Sequence, residues 1–414
     1  MADFDVLIVG AGPVGSRVAC TLAESGYKVG VVEKGKRVGE QVCCTGIISR
    51  ECAELFDIDA NCILWEAPSA KVFAPSGASL RISKDDVQAY IVDRAAFDFS
   101  FAERALSKGA EYVLNSRVRD ISLSGDGVML HIEGENGERT LEGRAAVIAN
   151  GFGSTLPGKL ELGSIQEFMV GAQTEVQTAG VDEVEVYFSH SIAPGFFAWL
   201  APVAPNRARV GLFAHRKSGP HMKAFLAELA SQGRIQDSGG TVAYGGIPLK
   251  PLARTYADRV LVVGDAAGQV KPTTGGGVYF GLLCADIASE VLGEALAAGD
   301  LSASRLSRYE KLWKEKLGRE LKIEYVLRKL YNKLSDKQIE SIFSVAKKKR
   351  IHRSLLDSPY LSFDWHGELL LEGLRRAGFW HDVIKTYIPA GVWAYLRSFN
   401  SPKSPLTKGG LMKE

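Results

Sequence analysis

The chain has 414 residues, 46% apolar and 24% charged, the balance of a folded protein with a large core and room for two or three domains. Its net charge of +2 hides an asymmetry, because residues 301–414 carry +11 and the first 300 residues −9; either the basic end meets an anionic membrane surface or it is a solvated helical face, and no nucleic-acid partner is expected. No run of about 18 uncharged apolar residues and no signal-type leader is present, so a membrane span is not expected and a cytoplasmic location, at most peripheral on the inner membrane face, is.

The first element pattern is DFDVLIVGAGPVGSRVACTLAESGYKVGVVEK, Asp3–Lys34. Val6–Val9 reads as a buried strand, Val14–Glu24 as a helix stopped at Gly26, and KVGVVE as a second strand ending at Glu33. Gly10, Gly12 and Gly15 form G-x-G-x-x-G between strand and helix, with Pro13 opening the helix. In this βαβ context each part has a physical task. Gly10 makes the tight turn, Gly12 lets backbone approach a pyrophosphate, and Gly15 lets helix and strand close up. The helix N-terminus offers free N–H groups to the phosphates. Glu33, followed by Lys34, accepts from ribose hydroxyls and disfavours a 2′-phosphate.

Next comes GEQVCCTGIIS, residues 39–49, with adjacent Cys43 and Cys44. Neighbouring Cα atoms are about 3.8 Å apart, too close for an ordinary disulfide. The remaining cysteines, Cys20, Cys52, Cys62 and Cys284, show no C-x-x-C spacing, so no metal site is expected. Packing and site chemistry both remain open for the pair. Ala70–Ser83 reads as a hairpin. Between Gly163 and Gly246, EVEVYFS, FFAWLAPV and RARVGLFAH read as antiparallel strands of a cap beside the dinucleotide domain. Tyr187, Phe197, Trp199 and Pro202 lie in these strands as candidate substrate residues, with core packing as the alternative for the aromatic ones.

RVLVVGDAAGQVKPTTGGGVYFGLLCADIASEVL, Arg259–Leu292, is a second strand–loop–helix unit. Gly264 and Asp265 end the strand, and Pro272, Gly275, Gly276 and Gly277 fill the loop. A carboxylate there suits sugar or ribityl hydroxyls. Glycines opening a helix suit an anionic group such as the N1–C2=O side of a reduced flavin. Residues 301–350 have helical spacing with interleaved Lys and Arg. FWHDVIKTYIPAGVWAYLRSF, Phe379–Phe399, mixes aromatics with few charges, which suits either interfacial attachment or helix packing. The last residues, 401–414, read as a flexible tail.

GAGPVG, Glu33, VDRAAFD (Val92–Asp98), AVIANGFGS (Ala146–Ser154) and GDAAGQVKPTTGGG occur in the order of FAD-dependent oxidoreductases of the p-hydroxybenzoate hydroxylase type. Within that group the chain most resembles the geranylgeranyl reductase family, including archaeal digeranylgeranylglycerophospholipid reductases, over about residues 3–300. CCTGIIS and FFAWLAP carry the narrower likeness. The family pattern Y-x-W-x-F-P has Phe197 and Ala201 here in place of Tyr and Phe, and Asn150 replaces the usual acid of A-D-G. The resemblance implies FAD as cofactor, Arg94 close to it, and the backbone at Val118 near the adenine. It maps the family cysteine to Cys44 as the catalytic candidate and leaves Cys43 as a packing neighbour. It implies reduction of isoprenoid C=C bonds, with hydride from flavin N5 and a proton from an active-site acid. The electron donor would be NAD(P)H, a ferredoxin or a deazaflavin. A flavin monooxygenase or halogenase is the alternative on the same scaffold. An iron–sulfur quinone oxidoreductase is disfavoured, since no cysteine follows Cys284.

The expected fold is α/β plus α+β. A Rossmann-type FAD domain (1–70, 90–160, 248–300) carries an antiparallel β cap (71–89, 161–247) and a C-terminal helical region (301–400).

Overall fold

The computed structural model describes residues 2–377 apart from 41, 136, 238, 359 and 360. The apolar run β1 (Phe4–Val9) turns through Gly10, whose φ of +102° suits glycine, into α1 (Pro13–Glu24). Pro13 sits where a missing N–H costs nothing. After β2 (Val29–Val32) come β3 (Ile47–Ser49), α2 (Arg50–Leu55) and β4 (Ile63–Ala67). The hairpin β5 (Ser69–Phe73) and β6 (Ser79–Ser83) precedes β7 (Ala89–Val92). Asp93 then caps α3 (Arg94–Ser107) by accepting the N–H groups of Ala95 and Ala96. Next are β8 (Glu111–Val113), β9 (Ser116–Ser124), β10 (Gly127–Gly134), β11 (Gly137–Ile148) and the single turn α4 (Leu156–Lys159).

Alternating strands follow: β12 (Phe168–Gln177), β13 (Val184–Tyr187), β14 (Ala198–Ala204) and β15 (Arg207–Ala214). Helix α5 (Ser218–Ser231) leads to β16 (Ala243–Pro248), β17 (Tyr256–Ala257) and β18 (Val260–Val262). The C-terminal part is helical: α6 (Val278–Ala298), α7 (Ala303–Tyr331), α8 (Asp336–Lys348), α9 (Ile351–Leu356) and α10 (Gly367–Ala377).

The expected Rossmann-type sheet, antiparallel cap sheet and C-terminal helices are all present. The first sheet runs β17-β18-β11-β1-β2-β8, and its central pairs are parallel. An antiparallel ribbon, β9 and β10, extends from β11. Where β1, β2, β11 and β18 pair with one another they are apolar apart from the Asp5–Arg144 pair at one end, because both faces are covered. On one face α1, α3, α6 and α7 share a core that includes Phe97, Phe101, Phe280, Tyr309 and Trp313.

The second sheet runs β16-β12-β15-β14-β13-β5-β6. It takes in the Ala70–Ser83 hairpin, with β5 parallel to β13. α5 covers one face through Met222, Phe225 and Leu229. A third, three-stranded sheet, β3-β7-β4, was not foreseen. Its residues Ala67, Ala89 and Ile91 pack on the other face of the cap sheet, against Trp199 and Ala201. Among the described residues, no helix is long and apolar enough to cross a membrane. The aromatic stretch 379–399 and the tail 401–414 lie outside the described residues.

Candidate active site

The site forms where the carboxyl ends of β1 and β18 face the cap sheet. A Cβ on Gly10 would lie 2.7 Å from the Ala149 carbonyl oxygen, and one on Gly15 would lie 2.0 Å from the Gly10 carbonyl oxygen. These glycines allow strand, helix and the Ala149–Asn150 turn to close together. Gly12 differs: a Cβ there would meet no protein atom within 4 Å. Space beside the N-terminus of α1, with a backbone stripped of side chain, is what a pyrophosphate requires. Glu33 is fixed at the rim, where Oε2 accepts the Ala11 N–H (2.9 Å) and Oε1 the Gly35 N–H (2.8 Å). Each oxygen keeps a lone pair for a ribose hydroxyl. The exposed Lys34 follows it. Val118 stands two residues into β9, whose first residue donates its N–H to the Glu33 carbonyl at 2.8 Å.

The second unit approaches from β18. Gly264, at φ +71°, turns the chain toward Asp265. A Cβ on Gly277 would fall 2.7 Å from Asp265 Oδ1, so the carboxylate comes right up to the start of α6. Burial pushes the Asp265 carboxyl above the usual carboxylate range, and the Arg94 guanidinium pulls it back in part. Gly275 is also in the positive-φ region, and the buried Pro272 precedes it. Gly276 lies against Lys271, where a Cβ would be 2.7 Å from Lys271 Cε. Open space at Gly12, the anchored Glu33 and the paired Asp265–Gly277 approach together fit FAD.

Arg94 begins α3 and is nearly covered. Its guanidinium pairs with the buried Asp98, with Nη2 2.8 Å from Oδ1. The nearby Cys44, with Asp98, helps keep the Arg94 guanidinium protonated against its burial. Cys44 Sγ further accepts the Gly46 N–H at 3.4 Å. Cys43 turns the other way and lies against Gly245 of β16, 3.5 Å from where a Cβ would be. Burial, with Cys44 as neighbour, pushes the Cys43 thiol up to about 11.

The loop holding both cysteines is pinned to the cap by residues that sequence reasoning did not single out. Thr45 donates its hydroxyl to Gln173 Oε1 (2.7 Å). Arg209 Nη1 donates to the carbonyl oxygens of Thr45 (2.7 Å) and Val92 (3.1 Å). Gln173 and Arg209 share a sheet face with Gly171, Gly211 and Phe213 by strand register. The alternation in RARVGLFA held that signal, because Arg209, Gly211 and Phe213 are two residues apart.

That face also carries Phe197 and Trp199. Trp199 lies over Gly211, where a Cβ would be 2.2 Å from Cζ2, and its ring sits 4.7 Å from Phe213. Phe213 also meets Phe197 edge-on at 5.5 Å. Phe213 and Met169 reach the flavin-side loop, each with an atom 3.0 Å from a Cβ position on Gly275. Trp199 is 7% exposed, and its Nε1 has no hydrogen-bond partner among the described residues. The two remaining substrate candidates are not brought to this wall. Tyr187 stacks on Phe73 (4.7 Å) and meets Phe225 of α5 (5.2 Å), so it faces the opposite side of the sheet. Pro202 pairs with Ala208, a member of that same α5-side core. The physical reason is the strand period of two: Pro202 is three residues from Trp199.

A family model described as lycopene cyclase protein matches residues 5–357. The digeranylgeranylglycerophospholipid reductase of Methanocaldococcus jannaschii is 30% identical over 382 residues, covering 86% of this chain and 96% of that protein. Among solved structures, a geranylgeranyl bacteriochlorophyll reductase-like protein from Thermoplasma acidophilum superimposes with a TM-score of 0.82 at 22% identity, covering 92% of this chain and 98% of that one. A flavin-dependent brominase superimposes with a TM-score of 0.69 at 16% identity, covering 93% and 98%. At these identities the two structures speak for the fold alone.

Proposed function

The chain belongs to the digeranylgeranylglycerophospholipid reductase family of FAD-dependent oxidoreductases, and on that premise we propose that it reduces carbon–carbon double bonds of isoprenoid chains, in geranylgeranyl lipids or related prenyl substrates. The observation that carries this reading is the aromatic wall of Phe197, Trp199 and Phe213, which meets the flavin-side loop at Gly275. An isoprenoid chain offers almost only apolar surface, and burying it yields roughly 25 cal/mol per Å². A wall of rings supplies that burial and keeps water away from the reacting carbons.

Gly12, Glu33, Asp265 and Gly275–Gly277 hold FAD in this reading. When bound, FAD supplies hydride-transfer chemistry, with NAD(P)H, a ferredoxin or a deazaflavin as its reductant. The protein's own contribution is a proton and an orientation. An isolated alkene has no carbonyl to take up charge, so a positioned acid is needed for the second carbon. Cys44 fills that role. The Gly46 N–H holds the sulfur through a lone pair, which leaves the thiol hydrogen available, and the Arg94 guanidinium lies near it. Asp98 in turn fixes Arg94. The lipid enters from a membrane surface met by the basic C-terminal region.

The test is anaerobic incubation of dithionite-reduced enzyme with geranylgeranyl lipids, read by mass spectrometry. The expected result is a gain of two hydrogens per double bond. No such gain, together with substrate-dependent oxygen consumption and a hydroxylated or halogenated product, would overturn the reading in favour of a monooxygenase or halogenase.

A further inference from the structure

Beside the loop that follows Lys271, a buried polar cluster takes no part in the chemistry above. Glu320 and Glu324 are one turn apart on α7, so their carboxyl groups leave the helix side by side. Glu320 is 7% exposed and Glu324 not at all. His366, just before α10, meets them, and ligand-type atoms of the three residues lie within 4.8 Å of one another.

The hydrogen bonds leave a hole in this cluster. Glu320 Oε1 accepts the Gly367 N–H at 2.6 Å. Glu324 Oε2 is 2.6 Å from the Thr273 hydroxyl and 3.3 Å from the Thr273 N–H. Glu324 Oε1 is buried and has no hydrogen-bond partner among the described residues, yet it lies only 3.4 Å from His366 Nε2. His366 Nδ1 is 3.2 Å from the Phe363 carbonyl oxygen. A carbonyl only accepts, so Nδ1 carries the hydrogen and Nε2 is an acceptor, 2.7 Å from the Thr273 hydroxyl oxygen. The Thr273 hydroxyl has a single hydrogen for two acceptors, His366 Nε2 and Glu324 Oε2, so the cluster is one donor short, and the backbone carbonyl on the other ring nitrogen is the usual outer partner of a metal-ligating imidazole.

The charge count points the same way. Two carboxylates removed from water need compensation. Lys271 acts on Glu324, but its ammonium is 2.6 Å from Asp364 in a pair that is itself buried.

We propose that Glu320, Glu324 and His366 bind one divalent transition-metal ion of the Zn²⁺ or Mn²⁺ type. Two carboxylate oxygens and one imidazole nitrogen match the donors such ions take. The ion ties α7 and the segment before α10 to Thr273, and so fastens the C-terminal helices to the flavin-side loop. This site is structural and independent of the reductase reading. No cysteine contributes, and the histidine is 42 residues beyond Glu324, so ligand-spacing rules do not reveal it.

The test uses the full chain, purified without chelator and analysed for metal. It is then stripped and titrated with ZnCl₂ or MnCl₂ while bound metal and melting temperature are followed. About one equivalent per chain is expected, with a rise in Tm on binding. Glu324→Gln and His366→Phe should lose both the stoichiometric metal and the rise. The competing account is that protons neutralise the glutamates. In that case the wild type takes up no stoichiometric metal and its Tm ignores chelator. Glu324→Gln, a mimic of the protonated acid, is then at least as stable as the wild type. That outcome overturns the site, and the wild-type titration alone decides if the variants fail to fold.

Discussion

A methyl group placed on Gly12 and one placed on Gly15 meet opposite surroundings, and this separates fold from cofactor binding. On Gly12 it points into space free of protein atoms, whereas on Gly15 it strikes the Gly10 carbonyl oxygen. Gly12→Ala should therefore leave the stability of the FAD-free chain within about 1 kcal/mol of wild type, the size of a helix-cap effect. Its FAD affinity should fall about tenfold or more, because the backbone can no longer approach the pyrophosphate. Gly15→Ala should cost about 3 kcal/mol or more through overpacking and lose soluble yield. Fluorimetric FAD titration beside thermal melts checks both; equal FAD affinity for Gly12→Ala and wild type would remove the cradle. The cysteine pair divides in the same manner. Cys44→Ala should keep FAD and lower alkene reduction about a hundredfold, the lower end for loss of a general acid. Cys43→Ala, which only trims a packing contact on Gly245, should change the rate by no more than a few fold. Undiminished reduction by an FAD-replete Cys44→Ala enzyme would exclude the thiol.

Between elements, Glu167 joins the start of β12 to the end of β16 and to α7. It binds Lys250 (2.7 Å), Lys329 (2.8 Å) and the Tyr325 hydroxyl (2.8 Å). Burial alone would raise its carboxyl, but the hydrogen bonds from Lys250, Lys329 and Tyr325 outweigh it and bring the group down to about 2. An unfolded glutamate titrates near about 4.3, so this stabilisation is complete above that pH and is lost as pH falls through about 2. With the side chain about one-third exposed, solvent screening leaves roughly 1–2 kcal/mol. Glu167→Gln should melt lower than wild type at pH 7, and the gap should close on acidification toward pH 2. A gap constant with pH would mean that packing, not charge, sets it. Elements of this kind were legible where chain spacing alone decides them. The glycines of β1–α1, the alternation in β12 to β15 and the three–four spacing of α7 all respond to local rules. The β3-β7-β4 sheet was not legible, since β3 has three residues and its partners are 40 to 44 residues away in sequence. Nor was the docking of Thr45 on Gln173, 128 residues apart, because only the folded cap brings them together. Pro202 shows a signal that was present and passed over, as its odd offset from Trp199 already places it on the other face.

At the scale of the whole molecule, α7 is a brace between the Rossmann-type sheet and the cap. Its 29 residues span about 43 Å. Near its start the Tyr309 hydroxyl accepts from Gln269 (2.8 Å) and donates to the Val262 carbonyl (3.1 Å), and Trp313 Nε1 donates to Thr255 (3.0 Å). Near its end the Tyr331 hydroxyl donates to the Phe196 carbonyl (2.9 Å), and Arg328 donates to Gly195 while lying over the Phe196 ring. Phe196 directly precedes Phe197 of the aromatic wall. The helix therefore bears on the wall's position relative to the flavin-side loop, beside the direct links from Thr45 and Arg209. A single rigid rod anchored by buried groups at both ends should make the two halves unfold together. Wild type is then expected to release FAD and lose far-UV ellipticity in one coincident transition. Trp313→Ala removes a fully buried indole at the Rossmann end, at a cost of about 3–5 kcal/mol. If α7 couples the halves, this distant substitution lowers both midpoints equally, although Trp313 touches no part of the cap sheet's aromatic wall. Loss of FAD at a lower temperature with the β signal melting at the wild-type midpoint would show that the cap folds on its own, with α7 as a passive cover.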